Sequence, residues 1–113
     1  MRELLHAKIH NATVTESNLA YVGSITVDSN LLDAVGLWEG QKVLVVSNTS
    51  GARLETYVIR GAPGSGVVCM NGACSHLIKK GEQIIIMGFM LSDKPYKPAI
   101  VLAGEGNIIA GWL

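Results

Sequence analysis

The chain has 113 residues and a mass of 12.0 kDa, which fits one domain spanning residues 1–113. Hydrophobic residues make up 49% and charged residues 16%; this excludes disorder and predicts apolar surface left over for self-association. Nine Lys and Arg balance nine Asp and Glu, so no surface built for a polyanion is expected and nucleic acid is not an expected partner.

Thirteen glycines and three prolines punctuate short β-prone runs, the pattern of a small barrel. Residues 5–10 predict a first strand, with Lys8 and His10 on one face at period two. Residues 21–27 form a second β-prone stretch, in which Gly23 marks a bulge or a close approach of other groups. Asp28-Ser29-Asn30 caps a short helix over 31–35 that Gly36 ends. Strands follow over 42–46 and 53–60, joined by a turn at 47–51. In the second, Arg53, Glu55 and Tyr57 share one face and Leu54, Thr56 and Val58 the other. A loop at 61–66 leads to a buried strand at 67–70, a turn at Asn71-Gly72 and one helical turn over 73–77. Residues 83–91 carry the clearest strand pattern and 99–102 the last one. The tail 108–113 is expected to pack on a neighbour or fray. The expected fold is mainly β, with six to eight short strands and little helix.

The longest apolar run, 84–91, is far shorter than the roughly 20 residues a membrane-spanning helix requires. The first residues lack a signal-peptide core, so a cytoplasmic protein away from the membrane is expected. Cys69 and Cys74 make no disulfide framework and read as cytosolic thiols. His6, His10 and His76 lack zinc spacing, and Cys69, Cys74 and His76 do not form a standard knuckle, so no metal is expected. Gly64-Ser65-Gly66 is not followed by the Lys of a phosphate loop, and no nucleophile elbow occurs.

Gly23-Ser24 carries different chemistry. Glycine before serine lets the backbone strain without a Cβ clash. A hydroxyl beside a strained peptide can attack the preceding carbonyl and move the acyl group from nitrogen to oxygen. A Gly-Ser pair alone is common, but here it sits among other segments in a fixed order. These are Lys8-Ile9-His10, Tyr21-Val22-Gly23-Ser24, Gly51-Ala52-Arg53-Leu54-Glu55-Thr56-Tyr57 and Met70-Asn71-Gly72-Ala73-Cys74-Ser75-His76. Together they resemble the aspartate 1-decarboxylase family, pyruvoyl-dependent enzymes of pantothenate biosynthesis. The resemblance covers about residues 1–90, including Asp28-Ser29-Asn30-Leu31-Leu32-Asp33-Ala34-Val35-Gly36.

The resemblance implies a small six-stranded double-psi β-barrel with short helices, assembled as a homotetramer and made as an inactive proenzyme. Cleavage between Gly23 and Ser24 through an ester would leave a β chain of residues 1–23 and an α chain of residues 24–113. Ser24 would become a covalent pyruvoyl group. Converting L-aspartate to β-alanine and CO2 needs an electron sink that no side chain provides, and the pyruvoyl ketone would supply it through a Schiff base with the substrate amine. By the same resemblance Tyr57 donates the proton, Arg53 holds a substrate carboxylate through its planar guanidinium, and Lys8 adds charge for the second carboxylate with His10 beside it. Thr56 supports the oxyanion during self-cleavage and contacts substrate. Gly72, Ala73 and Cys74 offer backbone to the substrate, with Asn71 in support, and Tyr21 orients the processing site. Arg53 and Tyr57 lie on the face opposite Thr56, so one regular strand cannot serve a single pocket with all three; active sites between protomers are therefore expected. Two departures stand out: Ile25 where other members often carry cysteine, and Cys74 where alanine is expected. A maturation factor is a further partner the resemblance allows. Two other readings use the same residues: an unprocessed, non-catalytic β-barrel, and a pyruvoyl decarboxylase for another acidic amino acid.

Overall fold

The longest strand, β1 (Arg2–Thr13), alternates fully buried Ala7 and Ile9 with half-buried Lys8 and His10, as a strand with one face on the core must. The computed structural model describes residues 1–113. The chain continues through β2 (Glu16–Asn18), β3 (Ile25–Asp28), α1 (Ser29–Val35), β4 (Lys42–Ser47), β5 (Arg53–Gly61) and β6 (Val68–Asn71). It ends with α2 (Cys74–Leu77), β7 (Gln83–Ser92), β8 (Ala99–Ala103), a 3-10 turn (Glu105–Asn107) and β9 (Ile109–Trp112). The fold is mainly β, and its helices are few and short.

All nine strands join in one order, β2-β6-β3-β5-β4-β7-β1-β8-β9, with β2 and β9 at its ends. Three pairs are parallel: β1 with β8, β2 with β6 and β3 with β5. Parallel neighbours cannot be joined by a hairpin, so the chain crosses over between them. Residues linking β1 to β2 also bridge distant strands. The Val14 amide donates to Glu82 O at 2.9 Å, and the Thr15 amide donates to Val68 O at 2.8 Å.

Two strands exceed those expected. Glu16–Asn18 is too short to show a period, and Ile109–Trp112 was expected only as a tail; each becomes a strand by pairing with β6 or β8. The stretch expected over 21–27 is also shorter. Its strand starts at Ile25, because Gly23 (φ +47°) and Ser24 (φ +98°) leave extended geometry.

A core cluster of 20 buried residues includes Ile9, Ile25, Leu31, Leu32, Ile84 and Ile86. Each such aliphatic side chain contributes about 1.5–3 kcal/mol by leaving water. Asp28 ends β3 and caps α1, accepting from the Asn30 amide at 2.9 Å. The same carboxylate accepts from the amides of Gly64 (3.0 Å) and Gly66 (2.8 Å), which folds the 61–66 loop over the end of β3. Gly36 adopts the left-handed conformation that stops α1, and its amide bonds Leu32 O. These contacts fix β3 at its C-terminal end, and hence the place of Ser24 just before its first residue. No helix is long and apolar enough to cross a membrane.

Candidate active site

Ser24 is fully buried and holds φ +98°, a conformation that costs a residue with a Cβ on the order of 1–3 kcal/mol. Its surroundings account for that geometry. β3 and β6 run antiparallel with Ile25 opposite Met70, so the next position along brings Ser24 to Asn71. The Asn71 amide N–H donates to Ser24 O at 2.9 Å, and Asn71 Nδ2 donates to Ser24 Oγ at 2.9 Å. Nδ2 also donates to Thr26 Oγ1 at 2.9 Å, and the Cys69 thiol donates to Asn71 Oδ1 at 3.1 Å.

The turn after β6 closes over the backbone of Tyr21 and Gly23, just before Ser24. Gly72 has φ +60°, and a Cβ there would lie 2.4 Å from Gly23 N and 2.7 Å from Tyr21 O. Only glycine allows this approach. Ser75 Oγ donates to Gly72 O at 2.7 Å and holds the turn shut. From β5, the neighbour of β3, Tyr57 donates its hydroxyl to Val22 O at 3.4 Å. A cleft of about 530 Å³ opens here, lined by Glu16, Tyr21, Gly23, Ser24, Ile59 and Asn71 among others. Burial pushes the Cys69 thiol pKa up, and the negative charge of Glu16 pushes it further the same way.

The remaining expected residues lie elsewhere in the chain. Lys8 and His10 stand on β1, separated from β3 by β5, β4 and β7. His10 Nδ1 is buried without a hydrogen-bond partner. Arg53 begins β5, five positions from Val58, which pairs with Ile25. That places it roughly 17 Å along the strand from the start of β3. There it lines a second cleft of about 630 Å³ with Glu3, Lys42, Glu55 and Phe89. Arg53, Glu55 and Tyr57 are exposed and Thr56 is half-buried, so the two faces of β5 divide as the alternation predicts. Ala73 is exposed and Cys74 half-buried where α2 begins. One chain thus gathers Tyr21, Gly23, Ser24, Tyr57, Asn71 and Gly72, and leaves Lys8, His10 and Arg53 apart. Cys69, Thr26 and Glu16 belong to the gathered set and were missed. Cys69 lies two positions before Asn71 and shares its strand face, a signal at period two that was legible.

The aspartate decarboxylase family model matches residues 1–110. This chain belongs to the aspartate decarboxylase family. It is 49% identical to the aspartate 1-decarboxylase of Bacillus velezensis and 51% identical to that of Bacillus licheniformis, across 96% of this chain and 88% of each relative. The aspartate 1-decarboxylase of Neisseria meningitidis is 50% identical over the same shares. Membership of the aspartate decarboxylase family agrees with the resemblance drawn from the four ordered segments of the sequence.

Proposed function

We propose that this chain is a pyruvoyl-dependent aspartate 1-decarboxylase that cuts itself between Gly23 and Ser24 and then converts L-aspartate to β-alanine and CO2 for pantothenate biosynthesis. The observation that carries this reading is Ser24 itself: buried, left-handed, directly after a left-handed glycine, and held at both its carbonyl and its hydroxyl by Asn71. Strain of this kind lowers the barrier for a serine hydroxyl to reach the preceding carbonyl. Ser24 Oγ bonds to the Gly23 carbonyl carbon, the Gly23–Ser24 C–N bond breaks, and the hydroxyl proton passes to the freed nitrogen. Loss of the Ser24 Cα proton then expels the Gly23 carboxylate from Cβ. Water displaces the nitrogen as ammonia and leaves a ketone.

When formed, that ketone supplies the electron sink for decarboxylation. The residues present suit it: a cleft borders Ser24, Asn71 holds Ser24 at its carbonyl and hydroxyl, and Gly72 lies against Gly23 on the other side of the bond. Tyr57, whose hydroxyl reaches Val22 O two residues before Ser24, is our proton donor to carbon. Gly72, Ala73 and Cys74 present backbone to the substrate, and Tyr21 flanks the scissile peptide. Arg53 and Lys8 hold the carboxylates, with His10 beside Lys8 and Thr56 at the oxyanion of self-cleavage. Because one chain separates Arg53 and Lys8 from Ser24, we place the complete site between protomers of a homotetramer. The exposed Tyr57, Phe89, Leu91 and Trp112 support such a covered face. Free Cys69 and Cys74 suit a cytoplasmic protein.

The test is intact mass under denaturing conditions, followed by a decarboxylation assay on aspartate and glutamate. Two fragments, residues 1–23 and 24–113, are expected, the larger lighter by one ammonia than a serine-start chain. Ser24→Ala should stay whole. An intact wild-type chain that releases no CO2 from aspartate would leave the non-catalytic barrel as the reading. Glutamate turnover at or above the aspartate rate would change the substrate; one methylene is worth about 1–3 kcal/mol of discrimination in a pocket.

A further inference from the structure

We infer that Cys69 is a positioning residue for self-cleavage: its thiol fixes which way the Asn71 amide points, and so keeps an N–H aimed at Ser24 Oγ. The inference rests on the self-cleavage reading above and assigns a role to a residue outside the substrate contacts.

A carboxamide has two nearly equivalent ends, and its orientation is set by the hydrogen bonds around it. On one side of Asn71 lie two hydroxyls, Ser24 Oγ and Thr26 Oγ1, each 2.9 Å from Nδ2. Hydroxyls both donate and accept, so this side alone would take either end of the amide. The other side decides. Cys69 Sγ lies 3.1 Å from Oδ1, and a thiol is a weak donor and a poorer acceptor. Turning the amide over would set Nδ2 against sulfur and Oδ1 against Ser24 Oγ. Cys69 is 3% exposed and Asn71 is 2% exposed, so a turned amide would leave Nδ2 facing sulfur with little solvent to offer a better acceptor. Burial first, then the charge and the side-chain contact of Glu16, which pairs with Cys69 across β2 and β6, favour the protonated thiol; Glu16 and Met70 O (3.9 Å) compete for its proton, and Asn71 Oδ1 at 3.1 Å is the acceptor this geometry favours.

The consequence for the reaction follows from the direction of the N–H. A donor on Ser24 Oγ lies against the lone pairs and stabilises negative charge as the oxygen gives up its proton. An acceptor in its place would hold that proton and oppose the attack. The thiol therefore acts through Asn71, without touching the scissile peptide.

The experiment follows the fraction of uncleaved full-length chain with time by intact mass, for wild type, Ser24→Ala, Cys69→Ser, Cys69→Val and Cys69→Ala. Thermal unfolding of each full-length chain is recorded alongside. Cys69→Ser keeps a donor, while Cys69→Val keeps volume and strand preference but has none. Cleavage about tenfold slower is expected for Cys69→Val and Cys69→Ala, equivalent to about 1.4 kcal/mol, with Cys69→Ser within about twofold of wild type. Wild-type rates in Cys69→Val and Cys69→Ala would overturn the inference. So would a Cys69→Ser rate as slow as that of Cys69→Val, since packing and not the donor would then be at work. A wild-type chain that never cleaves would remove the self-cleavage reading instead, and this inference with it.

Discussion

Replacing Gly72 with alanine tests the clamp on the scissile peptide most directly. The new Cβ would meet Gly23 N at 2.4 Å, Tyr21 O at 2.7 Å and Gly23 Cα at 2.9 Å, all backbone atoms that no side-chain rotation can move aside. Relief to an ordinary contact distance of 3.4 Å requires the Gly23 nitrogen to shift by about 1 Å. Gly23 N lies two bonds from the carbonyl carbon under attack, and a displacement of about 1 Å carried to that centre lowers a rate by about 100-fold. The substitution also carries a left-handed penalty of about 1–2 kcal/mol at φ +60° and an overpacking penalty of about 1–3 kcal/mol. Gly51→Ala separates the two effects. Gly51 has a similar φ of +79° but nothing within 4 Å of the added carbon, so it should lose only the backbone share of stability and cleave at the wild-type rate. Self-cleavage timed by intact mass, with thermal unfolding of the same samples, gives both numbers. Wild-type cleavage in Gly72→Ala would refute the claim that this backbone contact positions the Gly23-Ser24 peptide.

Other expectations follow from the same geometry. Arg53→Ala should lower kcat/KM for aspartate by about 100-fold, the loss of a charge-assisted carboxylate contact of about 3 kcal/mol, in steady-state decarboxylation. Tyr57→Phe should lower kcat by about 100-fold or more with KM little changed if its hydroxyl serves the proton step as proposed; a raised KM with kcat intact would assign it to binding instead. Glu82 is buried and accepts from Ser47 Oγ (2.6 Å), Ser50 Oγ (2.8 Å) and the Lys79 amide (2.7 Å). The Ser47 hydroxyl foremost holds its carboxyl below the ordinary glutamate range. A lowered folded-state pKa gives stability that is present above the ordinary glutamate pKa and lost as pH falls through the lower folded value. Glu82→Gln should therefore cost about 1–3 kcal/mol at neutral pH, and its thermal midpoint should converge on wild type in acid.

The alternation of β5 was legible, because a half-buried strand writes its two faces into the sequence: Arg53, Glu55 and Tyr57 are exposed while Leu54, Thr56 and Val58 turn inward. The capped helix was legible for a similar reason, since Asp28 and Gly36 act through local geometry. Glu16–Asn18 was not, because three residues carry no period and their extended form comes from a partner far along the chain. The departure of Ser24 from strand geometry was hidden too. A serine prefers negative φ by itself, and the bonds from Asn71 that accompany +98° come from a strand far along the chain. Gly23, Ser24, Asn71 and Tyr57 were found because their segments match a family. Cys69 shares a strand face with Asn71 at period two, but that spacing does not say its thiol bonds the Asn71 amide.

The placement of β1 between β7 and β8 has a consequence for the lifetime of the molecule. If the chain is cut after Gly23 as proposed, residues 1–23 have no covalent tie to the remainder, yet β1 is gripped along both edges and buries Ala7 and Ile9 completely. The small piece can leave only by giving up its pairing with β7 and β8 and, through β2, with β6. From then on, regaining the structure requires two separate polypeptides to meet, so recovery becomes second order and fades with dilution. Folding would be a first-order event for the newborn chain and a concentration-dependent one for its cut descendant. The durability of the cut form is then a matter of how slowly it opens rather than of how favourably it closes.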